Sequence, residues 1–431
     1  MARRIDARKH GSKETITAFL NEPRGAVSDL IETVRDMIAD VRGNGGEAVA
    51  RYTAQFDQLA LDPTLLQSDN VDLHRLASSC PEDLKQAIDF AAQRIAAYHE
   101  KQRPEDHQFT DEAGVQLGWR WTPLESVGVY VPGGLASYPS SVLMNVVPAK
   151  IAGVERVVMV APAPKGQLAP AVAYAALKAG VDAYYPIGGA QAVAALAYGA
   201  GRLEPVDKIV GPGNAYVAEA KRQVFGTVGI DTIAGPSEIL VVADETANPD
   251  WIAADLLSQS EHDASSQSIL ITPIDAVANA VAAAVEAQLS ALSTGERAGR
   301  AWQDHGAIIL VSDLDQAADV ANLIAAEHLE LAISDPEALL PKIKHAGAVF
   351  LGHHTPEALG DYVTGSNHVL PTSRAARFSS GLGLNDFLKR MSVQKASPAG
   401  FSALAPAALT LAKAEGLPAH ARSVSIRTNE G

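Results

Sequence analysis

The stretch Leu256-Leu-Ser-Gln-Ser-Glu-His262 closes an amphipathic run that begins at Trp251. Gln259 and His262 stand three residues apart, so on a helix they share one face. One amide oxygen and one imidazole nitrogen make half of a zinc shell, and Asp361 and His420 could supply the other half. Mixed oxygen and nitrogen ligation suits zinc better than a metal that selects thiolates. Glu327-His328 would stand beside such a site as an acid/base pair, because imidazole takes a proton near neutral pH. Three polar clusters carry these partners: Ala326-Glu-His328, Gly360-Asp-Tyr362 with Asn367-His368, and Glu415-Gly-Leu-Pro-Ala-His420.

Each residue also has a plainer use. Gln259 and His262 suit a polar helix face. Glu327-His328 suits a helix C-terminus, where a histidine complements the macrodipole. His368 reads as a loop residue before a strand, and Glu415 and His420 as surface residues of a tail. Ser237 suits a turn or a helix cap and lacks the Gly-x-Ser-x-Gly frame of a nucleophile. Gly211-Pro-Gly-Asn214 links a strand to a helix start. Its glycines permit close backbone approach, which suits either a tight turn or a cofactor phosphate or ribose. Tyr130 could stack on a cofactor or fill a sheet edge. His353-His354 reads as a surface loop.

The elements that must position these residues are mostly βα units. Residues 1 to 24 read as a short arm with one helix. Val27 to His99 is helical, broken at Gly43-Asn-Gly-Gly46. A strand over Val127 to Val131 ends at Pro132-Gly-Gly134. Further strands follow at Val157–Ala161, Ala183–Tyr185 and Lys208–Val210, with helices at Pro170–Lys178, Ala190–Tyr198 and Asn214–Phe225. A second series has strands at Ile239–Ala243, Ser268–Thr272, Ala307–Val311, Leu329–Ile333 and Ala348–Leu351. Continuous apolar strands alternating with helices predict parallel sheets covered on both faces. Two such series predict two similar α/β domains. No Gly-x-Gly-x-x-Gly occurs, which by itself counts against a dinucleotide site of the usual Rossmann type.

Composition narrows the field. The 431 residues are 47% hydrophobic and 20% charged, with a net charge of -15. That is a globular profile with room for two or three domains. An acidic surface disfavours nucleic acid and anionic membranes as partners. The single cysteine, Cys80, lies at a helix start and reads as structural, so thiol chemistry is not expected. No apolar run approaches the ~20 residues that span a bilayer, and the basic N-terminus lacks the apolar core of a secretory signal. The cytoplasm is the expected compartment.

Eight motifs together resemble the histidinol dehydrogenase family. They are Leu257-Ser-Gln-Ser-Glu-His262, Ile187-Gly-Gly-Ala-Gln191, Val210-Gly-Pro-Gly-Asn214, Ala234-Gly-Pro-Ser-Glu238, Ala325-Ala-Glu-His-Leu-Glu330, Asn367-His-Val-Leu-Pro-Thr372, Ala376-Arg-Phe-Ser-Ser380 and Glu415-Gly-Leu-Pro-Ala-His420. The likeness runs from about Arg24 to the C-terminus. It implies two incomplete Rossmann-like domains with parallel sheets, one inserted in the other. Residues 1–24 would form an N-terminal arm. Residues 25–128 and 238–383 would carry most metal and catalytic residues, and 129–237 would be the inserted NAD-binding domain. The tail, 384–431, would cross to a partner in a homodimer and complete its active site.

The resemblance also implies roles. Zinc would be held by Gln259, His262, Asp361 and His420, and those four would also contact substrate together with Ser237, His328, His368 and Glu415. His328 would be the general base and Glu327 would activate water. Tyr130, Gln191 and Asn214 would contact NAD, which the family binds through turns other than the usual glycine fingerprint. The implied reaction is the four-electron oxidation of L-histidinol through L-histidinal to L-histidine, closing histidine biosynthesis. Ser260 and Asp263 differ from the alanine and glycine of many members, but they flank ligands rather than replace them. Two other readings remain: a dehydrogenase of another small primary alcohol, such as a sulfonated propanediol, and a non-catalytic zinc-binding paralogue.

Overall fold

The computed structural model of the chain describes residues 2–24, 30–67, 72–133, 138–233 and 235–428. The start of the helix read from Val27, the last glycine of Pro132-Gly-Gly134, Ala234 and the final three tail residues lie outside the described residues. β1 (Arg3–Asp6) opens the chain, and β2 (His107–Thr110) and β3 (Val115–Pro123) form an antiparallel hairpin. β4 (Ser126–Tyr130), β5 (Arg156–Val160), β6 (Ala183–Tyr185), β7 (Lys208–Val210) and β8 (Gly229–Ile230) make a parallel sheet in the order β6-β5-β4-β7-β8. β9 (Glu238–Ala243), β10 (Gln267–Thr272), β11 (Ala307–Leu310), β12 (His328–Ala332) and β13 (Ala348–Leu351) make a second, in the order β11-β10-β9-β12-β13. Numbered within its own series, each sheet reads 3-2-1-4-5, the Rossmann order. The two α/β units thus share one topology.

The strands are where the apolar runs predict them. Every residue of β4, β9, β10, β11 and β12 is buried, because helices cover both faces. In the second sheet the helix Leu314–Ile324 packs on one face. The helices Pro249–Ser260, Asp275–Leu289 and Gly295–His305 pack on the other.

Two groupings differ from the sequence reading. Residues 2–24, read from the sequence as an arm with one helix, are built into the second sheet. β1 pairs in parallel with β11, and Ile16 and Phe19 of the helix Ser12–Leu20 join its core. The helices between residues 30 and 100 cover the first sheet, not the second, with which the sequence reading grouped residues 25–128. Val34, Met37 and Val41 pack beside Val193 and Val217, and Ile88 and Ile95 beside Val127 and Val142. Helical periodicity marks an apolar face but does not say which sheet that face covers. The break at Gly43–Gly46 is a kink inside the helix Leu30–Asp57, where Gly45 takes φ 53° and ψ -129°.

β14 (Leu388–Ala396), from the tail, pairs antiparallel with β3 and makes a third, three-stranded sheet. Two helices follow, Pro398–Ala414 and Pro418–Ser425. No described helix is long and apolar enough to cross a membrane.

One buried ion pair holds the turn after β7. Lys221 pairs with Asp231, and their side chains are only 2% and 3% exposed. Lys221 Nζ donates to the Gly211 carbonyl at 2.9 Å, and the Gly211 N–H donates to Asp231 Oδ2 at 2.8 Å. Removing one partner leaves a buried charge uncompensated. Lys221→Met should therefore cost about 3–5 kcal/mol, read by chemical denaturation. An unchanged midpoint would show that the turn does not depend on this pair.

Candidate active site

Gln259 is the penultimate residue of the helix Pro249–Ser260, and His262 follows two residues after its end. Asn248 caps that helix by accepting from the Asp250 N–H, with proline at the first position. Its C-terminus therefore arrives at a fixed place. Gln259 is fully buried. Its Nε2 donates to Glu357 Oε1 at 2.6 Å, while its Oε1 is buried with no hydrogen-bond partner.

Glu327 and His328 sit at the start of a strand rather than at a helix end. The preceding helix stops at Ala325, which takes the left-handed conformation, and His328 is the first residue of β12. Both are clamped by the backbone of Glu238 on neighbouring β9. The Glu238 N–H donates to Glu327 Oε2 at 2.9 Å, and the Glu238 carbonyl lies 2.9 Å from His328 Nδ1. A carbonyl only accepts, so Nδ1 carries the proton and Nε2 presents its lone pair in the neutral ring. Nε2 has no hydrogen-bond partner. It lies 3.7 Å from Asp361 Oδ1 and 3.8 Å from Glu357 Oε1.

Asp361 and Glu357 are four residues apart on the helix Glu357–Tyr362, so they face one side. His328, Glu357 and Asp361 present donor atoms within 4.8 Å of one another. His368 joins through Nδ1, 3.0 Å from the Asp361 carbonyl, and its Nε2 lies 3.4 Å from Ser141 Oγ. Ser237 Oγ lies 3.5 Å from His262 Nδ1. Gln259, Asp361, Glu327, His328 and His368 thus converge on one site, and His262, beside Ser237, is close enough to feel the charges of Asp361 and His328. Sequence reasoning missed Glu357, Glu238 and Ser141. Only Glu357 left a usable signal, four residues before Asp361.

The electrostatics show a site with more negative charge than it comfortably holds. Burial pushes the Glu327 carboxyl up to about 7, against the pull of His328. Burial also pushes Glu357 up, to about 8. Burial alone would lower His328, but the charges of Glu327, Asp361 and Glu357 reverse this and it is pushed up to about 10. Asp361 resists burial through the nearby His328 and His368, whose positive charge favours its carboxylate, and is held at about 2. Burial pushes His262 and His368 down, which favours their neutral, ligating forms.

Glu415 and His420 are not part of this cluster within one chain. Both are exposed on the tail, Glu415 just past the first tail helix and His420 in the second. The remaining predicted residues lie on the first sheet, where turns after β4, β6 and β7 meet. Tyr130 ends β4, is buried in the core, and its hydroxyl accepts from the Gly189 N–H at 3.0 Å. It therefore stands at the carboxyl end of the central strand and fixes the turn after β6. Gln191 is buried with an unpartnered Oε1. Asn214 accepts from the Tyr216 and Val217 N–H groups and caps the helix Ala215–Val224. Gly211 takes φ +107°, and a Cβ there would lie 2.1 Å from the Tyr130 carbonyl oxygen. β4 and β7 are neighbours in space but not in sequence, so this is the switch point of the sheet.

Three other features stand apart. A cavity of about 320 Å³ lies on the far side of Glu238, lined by Arg24, Gln267, Arg374 and Arg377 among others. It holds none of the predicted site residues. Cys80 is buried in the core and burial pushes its thiol up, as befits a structural cysteine. His353 Nε2 lies 3.0 Å from Thr246 Oγ1 while His354 packs on Trp251, so the two engage different partners.

Known proteins settle the class. A family model described as histidinol dehydrogenase matches residues 20–428. The chain is 57% identical over 414 residues to the histidinol dehydrogenase of Caulobacter vibrioides, covering 96% of each chain. It is 55% identical over 431 residues to that of Rhizobium meliloti, covering 100% of this chain and 99% of the relative. The crystal structure of histidinol dehydrogenase from Elizabethkingia anophelis matches with a TM-score of 0.93 at 36% identity, covering 99% and 98% of the two chains. The chain is therefore an α/β dehydrogenase with two Rossmann-like parallel sheets. It belongs to the histidinol dehydrogenase family.

Proposed function

We propose that the protein oxidises L-histidinol through L-histidinal to L-histidine, the last steps of histidine biosynthesis, with zinc and NAD as cofactors. The observation that carries this reading is a pair of buried polar atoms without hydrogen-bond partners, Gln259 Oε1 and His328 Nε2, in one cluster. Buried polar atoms are ordinarily satisfied, so two orphans together point to a missing ligand. The donor set fits a zinc ion: the Gln259 oxygen, the His262 imidazole, the Asp361 carboxylate and His420 of the partner subunit. Charge fits as well, because a divalent cation would offset the surplus of carboxylates that drives His328 up. When bound, zinc would orient the substrate's imidazole and amino group for hydride loss.

The chain's own groups do the proton work. Nδ1 of His328 is tied to Glu238, so Nε2 takes the alcohol proton. NAD, when bound, would supply the hydride acceptor. The aldehyde then needs a water, which the Glu327 carboxylate activates. His328, once it has released its first proton to solvent, takes a proton from the hydrate, whose carbon would give a second hydride to NAD, and a carboxylic acid results, which ionises to the carboxylate. Two NAD are reduced per substrate and no cysteine takes part. For NAD, the turns at Tyr130, Gln191 and Asn214 meet at the carboxyl ends of β4, β6 and β7, where dinucleotides bind in open α/β sheets. The bare Gly211 backbone and the capped helix start offer close approach and N–H donors there. We place the reaction in the cytoplasm.

The tail supports a homodimer. Met391, Val393, Leu404, Leu411, Leu417 and Ile426 are all exposed on it, and such a cluster of large apolar side chains marks an interaction surface. A partner's tail would bring Glu415 and His420 to the site.

The deciding assay is NADH formed per L-histidinol consumed, with and without a zinc chelator. Two NADH per substrate, lost on chelation and restored by zinc, is the expected result. Zinc bound without NADH from histidinol would favour another small alcohol as substrate. Glu327→Gln should slow oxidation of the aldehyde by about 10²–10⁴-fold, with much less effect on the alcohol step. In the wild type the carboxylate is the active form. Aldehyde oxidation should therefore fall as pH drops through about 7, the value to which burial raises Glu327. A flat profile from pH 5 to 9 would remove Glu327 from that step. Leu411→Asp should give a monomer by size exclusion and lose zinc and turnover together. A fully active monomer would refute the shared site.

A further inference from the structure

Glutamine is a weak zinc ligand, because its amide is uncharged and can turn either end to the metal. The surroundings of Gln259 remove that freedom. Its Nε2 faces Glu357 Oε1 at 2.6 Å, and a carboxylate oxygen accepts, so the amide nitrogen is held there. The amide oxygen, at the other end of the group, is left buried with no partner. Glu357 is itself immobilised. It is 2% exposed, its backbone N–H donates to Glu330 Oε1 at 2.6 Å, and its Oε2 lies 3.0 Å from Ser258 Oγ.

We propose that Glu357 is a positioning residue, which locks the Gln259 amide with oxygen toward the metal and polarises it into a better ligand. The proposal rests on the zinc reading above. Glu357 lies close enough to His328 and Asp361 to be taken for a ligand itself. Both its oxygens already face donors, Gln259 on one side and Ser258 on the other, so its work is done through Gln259. Polar partners of this kind, one step behind the ligands, set ligand orientation and basicity in metal sites, and losing one typically costs 10–100-fold in affinity. The placement also explains why one short helix carries Glu357 and Asp361 a single turn apart. One residue binds, and the other aims a ligand from the facing helix.

The test is zinc affinity of the purified dimer by competition with a chromophoric chelator, together with the visible spectrum of the cobalt-substituted protein. Glu357→Gln should weaken zinc by about 10–100-fold, with an altered cobalt spectrum, because the new amide no longer dictates which end of Gln259 faces it. The double variant Gln259→Glu with Glu357→Gln exchanges donor and acceptor. It should recover affinity to within a few-fold of wild type, whereas Gln259→Glu alone sets two carboxylates against each other and should not. Thermal melts identify any variant that fails to fold, and Glu357→Asp then serves as the milder probe, expected between wild type and Glu357→Gln. Zinc affinity of Glu357→Gln within twofold of wild type would overturn the proposal. So would a double variant no better than Glu357→Gln, or Gln259→Glu alone tightening zinc, which would mark Glu357 as a direct ligand. Wild-type protein that holds no zinc at all would overturn the metal reading and this inference together.

Discussion

The site depends on one pairing, between β9 and β12. Their register sets His328 opposite Ile239, so the Glu238 backbone reaches both Glu327 and His328. Those two hydrogen bonds do separate jobs. The N–H gives a buried carboxylate one donor, without which its burial would be far more costly. The carbonyl fixes the imidazole tautomer, so the basic nitrogen faces the cluster rather than the sheet. Glu238 is in turn anchored by its own side chain, which pairs with Arg24 and accepts from the Ser373 N–H. The His328 imidazole is thus oriented by backbone inside a parallel sheet, one of the stiffest supports a fold offers.

The connection from β8 to β9 joins the two halves of the chemistry. At its start Asp231 accepts from the Gly211 N–H and pairs with Lys221, which fixes the turn at the first sheet's switch point. At its end Ser237 faces His262, and Gly235 is tied to Thr372 Oγ1. One short segment therefore holds a turn of the first sheet at one end and lines the polar cluster at the other. Two units of the same 3-2-1-4-5 order have diverged in use. The first offers bare turns at the carboxyl ends of its strands. The second carries the clustered polar residues at the starts of β9 and β12 and at the end of the helix feeding β10.

The sequence made the parallel sheets legible for a physical reason. Strands buried on both faces are continuous apolar runs, and glycines or prolines punctuate them. The third sheet lacked any such signal. β2 is exposed throughout, and β14 is exposed at every residue but the first, so no alternation betrays them. Site residues divided in the same way. Gln259, His262, Asp361, Glu327 and His328 stood out as polar groups inside apolar or helical surroundings. Glu238 acts through its backbone, which side-chain reasoning cannot see. Tyr130 carried an aromatic ring that suited stacking, and only three-dimensional placement shows it buried with its hydroxyl committed to Gly189.

A single chain gathers three of the four proposed metal ligands, and this has a thermodynamic consequence on the proposed reading. If the fourth comes from a partner, metal binding and assembly are linked. Zinc favours the dimer by its extra affinity for it, and the dimer tightens zinc by the same factor. The exposed apolar face of the tail then has two jobs, to bury itself against a partner and to deliver His420. A weak interface would suffice, because each bound ion adds to it. Leu384 and Phe387 are buried in a core of the first sheet, and beyond them the tail pairs through β14 with β3 in a separate three-stranded sheet, from which the tail helices can reach a second subunit without disturbing either parallel sheet. The proposed base, His328, needs no partner. Glu238 orients it within one chain, so subunit exchange would alter the metal's shell and leave the proton-transfer geometry in place.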